Sequence, residues 1–125
     1  MNASAALAWL SAGLVAAWGI AHVIPTRAVV QGFGSITRDN RLVLTQEWLA
    51  EALTMGFVAA IIIIATAVAN AGAVAPWVYR AAAVMLVAVG VLTTATGART
   101  PVMWFKICPI VLTTTAALLL IASWL

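Results

Sequence analysis

Charge is what this sequence has least of. Its 125 residues include six Lys or Arg, three Asp or Glu and one His, so charged residues make up only 7% of the chain, against roughly a quarter in a soluble domain. With hydrophobic residues at 66% and a mean hydropathy of +1.16, a water-soluble fold is excluded. Cysteine is nearly absent too. Cys108 alone cannot form an intramolecular disulfide and reports no redox compartment. Lying within the last apolar run, it reads as a small buried hydrophobe. A single histidine, His22, leaves no second imidazole for bis-histidine haem, and neither H-E-x-x-H nor H-x-x-E-H occurs, so spacing predicts no metal site. No Ser or Cys stands in a motif context with His22, which argues against a nucleophilic triad. The isoelectric point near 10.0 comes from few bases with no stripe interleaved with aromatics, and no nucleic-acid partner is expected.

What is present is hydrocarbon in long runs. At about 20 apolar residues per crossing, the chain has room for about four membrane helices and no separate soluble domain. Barrel strands of about ten alternating residues do not fit runs so long and so rich in Ala and Leu. The predicted fold is an all-α integral membrane protein, an antiparallel bundle of four transmembrane helices at about 5–23, 41–70, 74–97 and 101–125, with an interfacial or re-entrant first connection at about 26–40. The whole chain is one transmembrane domain. The first run has no preceding Lys or Arg and no small-residue cleavage site after it, so it is expected to remain as a helix rather than be removed as a signal peptide.

Punctuation sets the boundaries. The Ile24-Pro25 step ends the first helix. Gly32 and Gly34 around Phe33 break the first connection, and Asp39 or Asn40 is the expected cap of the second helix. Asn70-Ala71-Gly72 reads as a stop, Pro76 suits the first turn of the third helix, and Thr100-Pro101 reads as cap and first turn of the fourth. Pro109 should bend that last helix. The two hairpins are not repeats, because His22, Glu47 and Glu51 have no counterparts in the second.

Topology gathers the polar residues. Arg27, Arg38, Arg41 and Arg99 occupy the first and third connections, with Lys106 one turn into the fourth helix, while the other side has only Arg80. The positive-inside rule then predicts both termini outside the plasma (inner) membrane, with His22, Glu47, Glu51, Arg99 and Lys106 converging at a cytoplasmic mouth. Glu47, Glu51 and Met55 share a helix face, as do Met103, Lys106, Ile110 and Thr113, so Lys106 is the expected partner of Glu51. Gly90, Thr93, Thr94 and Gly97 make a small-residue stripe suited to close packing. Trp9, Trp77 and Trp124 fit one aromatic belt and Trp48 and Trp104 the other, where these last two can also wall a pocket.

The expected site is therefore a ligand pocket of His22, Glu47, Trp48, Glu51, Arg99, Trp104 and Lys106, with His22 and Glu51 as the candidates for acid/base catalysis. The expected function is binding or translocation of a small amphipathic molecule, lipid or ion by a homo-oligomer or a subunit of a membrane complex. The alternatives are a membrane enzyme acting on a lipophilic substrate and an accessory or scaffold subunit. No cofactor is specified. The architecture is that of small four-helix membrane proteins generally. The lone first-helix acid of proton-coupled drug exporters, the paired cysteines of quinone-type oxidoreductases and the dense inward His and Glu of sterol-isomerase-like enzymes are all missing.

Overall fold

A computed structural model describes residues 2–68 and 73–125, and every regular element among them is helical. The order is α1 (Ala3–Val23), α2 (Thr26–Gly32), α3 (Arg38–Val68), α4 (Ala75–Ala95) and α5 (Met103–Ala122), with a short 3-10 turn at Gly97–Arg99 before α5. All but α2 are long and apolar enough to cross a membrane. Together with the composition, this makes the chain a membrane protein.

Local chemistry accounts for the ends. The Asn2 side chain accepts from the Ala5 N–H at 2.9 Å and opens α1 two residues before the expected start. Pro25 interrupts the backbone after α1, and the Thr26 hydroxyl turns back to donate to the Val23 carbonyl at 2.7 Å. Gly34 takes φ +72°, a backbone that side chains with a Cβ rarely adopt, and so ends the α2 segment. The cap of α3 is Thr37 rather than Asp39 or Asn40, since the Asn40 N–H donates to Thr37 Oγ1 at 3.2 Å. Asp39 sits instead in the first turn, where its charge complements the free N–H groups. The expected stop at Asn70-Ala71-Gly72 lies outside the described residues. Pro76 occupies the first turn of α4. The last helix begins later than Pro101, because the Thr100 hydroxyl donates to the Gly97 carbonyl at 2.7 Å and Val102 is extended.

The helices pack through small residues. α1 lies against α3 and α5, and α4 lies against α5, while α3 and α4 meet along a slighter seam. Val15, Ile62, Leu112 and Leu119 fill the centre, with Ala8, Ala12, Ala82, Ala83 and Ala116 between them. In lipid there is no hydrophobic force between apolar helices, so close van der Waals approach holds them together. α1 and α3 approach closely at Gly19, where a Cβ would stand 3.2 Å from Met55 Cβ and 3.3 Å from the Ala52 carbonyl oxygen. Gly90 and Thr93 of the small-residue stripe are buried, whereas Thr94 is exposed.

The end of the assembly away from His22 is closed by polar clamps. Ser4 Oγ donates to the Ala122 carbonyl at 2.6 Å. Thr66 and Tyr79 hydroxyls are paired at 2.9 Å. Arg80 donates from Nε to Ser123 Oγ at 3.2 Å and from a terminal nitrogen to the Ser123 carbonyl at 3.3 Å. Its guanidinium also lies 5.0 Å from the Trp77 ring and 4.5 Å from the Trp124 ring. Arg80 thus ties α4 to the carboxyl end of α5.

Gly19→Val is expected to destabilise the chain by about 1–3 kcal/mol through overpacking against α3. Gly56→Val, whose Cβ would meet nothing within 4 Å, is the matched control and should not lower the midpoint of denaturation in detergent. Equal midpoints for the two variants would contradict the contact at Gly19.

Candidate functional site

Three helices deliver one potential ligand atom each to a single point. His22 comes from the last turn of α1, Glu51 from α3 and Cys108 from the first half of α5. One ring nitrogen, one carboxylate oxygen and the sulfur all lie within 4.8 Å of one another. His22 Nε2 and Glu51 Oε1 are 3.7 Å apart, the one salt bridge among the described residues. His22 and Cys108 are buried, whereas the Glu51 side chain is 31% exposed. α3 has 31 residues, and about 20 suffice to cross the hydrocarbon. Counted back from Val68, that length ends near Leu49, two residues before Glu51.

Aromatic side chains hold the three groups in place. His22 Nδ1 faces the Trp18 carbonyl, one turn earlier, at 3.3 Å. A carbonyl can only accept, so this contact places the ring proton on Nδ1. The Trp18 indole N–H donates to Cys108 Sγ at 3.3 Å. The Trp48 indole N–H donates to the His22 carbonyl at 2.6 Å, and the Trp48 ring stacks on the imidazole with centroids 4.8 Å apart. Phe105 meets Trp48 edge-on at 5.6 Å. Trp48 and Trp18 therefore spend their only donors on positioning this cluster.

Beside the cluster is a cavity of about 260 Å³ lined by Trp18, Ala21, His22, Ile24, Pro25, Val29, Trp48, Val102, Trp104 and Phe105. Its walls are aromatic and aliphatic, with the imidazole as the titratable group. A second recess of about 200 Å³ lies around Trp48 and Phe105 and includes Phe33, Glu47 and Glu51. Val29 of α2 borders both. A larger groove of about 560 Å³ along α1 and α3 is walled by Ala, Gly, Leu, Ile and Val alone. It offers no side chain for chemistry.

Of the residues expected to form the site, His22, Trp48 and Glu51 are brought together, and Trp104 borders the cavity while remaining 66% exposed. Glu47 is exposed and reaches only the second recess. Arg99 and Lys106 are exposed, and neither forms an ion pair among the described residues. The expected Lys106–Glu51 pair is not made, for a geometric reason. Lys106 and Cys108 are two residues apart and so point about 200° apart around the helix. With Cys108 facing the core, Lys106 faces outward, as do Met103, Ile110 and Thr113 of its face.

Trp18, Phe105 and Cys108 were not among the expected site residues. The spacing of Cys108, Leu112, Thr115, Ala116 and Leu119 could have marked the inward face of α5, but both faces of that helix are apolar and the contrast is weak. No protein-family model, curated protein or solved structure matches this chain.

Trp48 has two separable roles. Trp48→Phe keeps the stack on His22 and loses the bond to its carbonyl, at a cost of about 1 kcal/mol. Trp48→Ala loses both and leaves a void, at about 3 kcal/mol or more. Equilibrium unfolding in mixed micelles should resolve the two steps, and equal losses would mean that the stack contributes nothing.

Proposed function

We propose that this chain binds a small amphipathic molecule in the plasma (inner) membrane, with the apolar part against Trp18, Trp48, Trp104 and Phe105 and the polar end at His22 and Glu51. In this reading the four long helices run antiparallel, both termini lie outside, α2 rests in the headgroup plane, and the pocket opens toward the cytoplasmic leaflet. The observation that carries the proposal is the aromatic cavity of about 260 Å³ with the His22 ring in its wall, next to a carboxylate 3.7 Å from that ring. Apolar walls with a few convergent polar groups are the usual make-up of a small-molecule site.

Other features support the arrangement. Ser4 is bonded to Ala122 at one end and Trp18 to Cys108 near the other, as α1 and α5 running in opposite directions require. Arg27, Arg38, Arg41, Arg99 and Lys106 belong to connections or helix starts at the His22 end, and Arg80 to the other, in keeping with a cytoplasmic pocket. The volume is slightly below the roughly 300 Å³ of the smallest drug-sized sites, which favours a ligand with one or two rings or a short chain. Beyond it, Val15, Ile62, Leu112 and Leu119 are fully buried. One copy therefore binds rather than conducts, and translocation would require a homo-oligomer.

An enzymatic reading has one observation in its favour: His22 and Glu51 are close enough to reach the same atom of a bound lipophilic substrate and to act as base and acid on it. It requires that wild-type protein convert a bound ligand and that Glu51→Gln bind without converting.

The binding proposal is tested with 1-naphthol, a two-ring molecule with one hydroxyl, titrated into the chain in lipid nanodiscs while tryptophan fluorescence is followed. Saturable quenching is expected. Val29→Trp, which fills the cavity from α2, should abolish it, and Glu51→Gln should weaken binding roughly tenfold, as loss of one charge-assisted hydrogen bond implies. Quenching that stays linear to the solubility limit, or that survives Val29→Trp, would overturn the proposal.

A further inference from the structure

We infer that His22, Glu51 and Cys108 form a binding site for a divalent transition metal, best matched to Zn²⁺. Spacing along the chain predicts no such site, because each donor comes from a different helix and the pattern exists only in space.

With its ring proton held on Nδ1 by the Trp18 carbonyl, His22 turns the Nε2 lone pair toward the Glu51 carboxylate. The Trp18 indole donates to Cys108 Sγ and so orients the sulfur beside His22 and Glu51. Nitrogen, oxygen and sulfur thus meet within 4.8 Å. A proton shared between His22 and Glu51 satisfies that pair alone, whereas a metal ion satisfies all three donors at once.

Geometry and charge favour zinc. Tetrahedral Zn²⁺ takes nitrogen, oxygen and sulfur donors at about 2.0–2.3 Å, which spaces the ligand atoms about 3.3–3.8 Å apart. The His22–Glu51 separation of 3.7 Å is already in this range, and the sulfur needs to close by only about 1 Å. On binding, Cys108 releases its thiol proton to water, and thiolate plus carboxylate neutralise the dication. A net-neutral centre is the form that a low-dielectric surrounding tolerates. A histidine that donates its other ring N–H to a backbone carbonyl is the usual support of a metal ligand. Three protein donors leave a fourth position open, and the recess containing Glu47 and Glu51 gives an ion a carboxylate-lined approach.

The inference shares His22 and Glu51 with the pocket proposed above but turns on Cys108, which does not line that cavity. The test uses the full chain, tag-free, stripped with chelator and held in nanodiscs, titrated with Co²⁺ as a spectroscopic stand-in. Expected are a near-ultraviolet thiolate-to-cobalt charge-transfer band and intense visible bands of tetrahedral cobalt, saturating at one ion per chain and bleached by Zn²⁺. Cys108→Ser should remove the charge-transfer band while 1-naphthol quenching persists. His22→Gln and Glu51→Gln should each weaken binding at least tenfold. Trp18→Phe, which keeps every ligand and loses only the indole donor that positions the sulfur, should retain the band and weaken binding about 10–100-fold. A wild-type chain without a saturable band overturns the inference, as does a band that survives Cys108→Ser. Ala21→Trp separates the two proposals, since Ala21 lines the cavity and not the recess: it should abolish 1-naphthol quenching and leave the cobalt spectrum unchanged.

Discussion

The distance between His22 and Glu51 is set one turn away from either, at Gly19. α1 can approach α3 there only because no Cβ intervenes between its backbone and Ala52 and Met55. Ala52 is the neighbour of Glu51, and His22 lies three residues beyond Gly19, so this contact brings the imidazole and the carboxylate to 3.7 Å. A wider crossing would leave an acid at the rim of the hydrocarbon without a partner, at a cost of up to about 3 kcal/mol at full depth. The small-residue contact and the ionisable pair are therefore one structural device. The first fixes the helix separation, and the second makes that separation matter.

The two ends of the assembly differ in what their polar groups do. Away from His22, hydroxyls and a guanidinium are consumed in direct ties: Ser4 to Ala122, Thr66 to Tyr79, and Arg80 to Ser123 between two indoles. Each of these groups has a partner among the described residues. At the His22 end the donors are spent on holding other side chains, and a nitrogen, an oxygen and a sulfur remain directed at one another beside open volume. Such an imbalance costs stability and is typical of places where a protein meets something else.

Much of the fold was legible because lipid imposes a length. Four uncharged runs of the right size became four helices able to cross a membrane, and Pro76 sits in the first turn it suits. The turn chemistry was less legible. Thr37 caps α3 although Asp39 and Asn40 are equally good capping types, a choice decided by where the chain leaves the Gly34 turn. Around the site, His22 and Glu51 stood out as ionisable residues in apolar runs. Cys108 did not, because a thiol among Ile and Pro carries no pattern, and α5 has no polar face to reveal which way it turns. The same weakness misdirected Lys106: its helical face was read as inward from the charge it carries, whereas the packing of Leu112, Ala116 and Leu119 fixes the opposite phase.

The polar cluster also acts on the fold that holds it. Trp18 joins α1 to α5 through the sulfur, and Trp48 joins α3 to α1 through the His22 carbonyl. The two indole bonds thus couple three helices, with α1 held by both. The first depends on the state of the sulfur, because a thiolate accepts from an indole more strongly than a thiol does. A change of charge at the sulfur would therefore act on the contact between α1 and α5. Val29, Trp48 and Phe105 border the cavity or recess on this side, so such a change would be felt first in the shape of the pocket. The far end, clamped through Arg80 and Ser4, would hold its position.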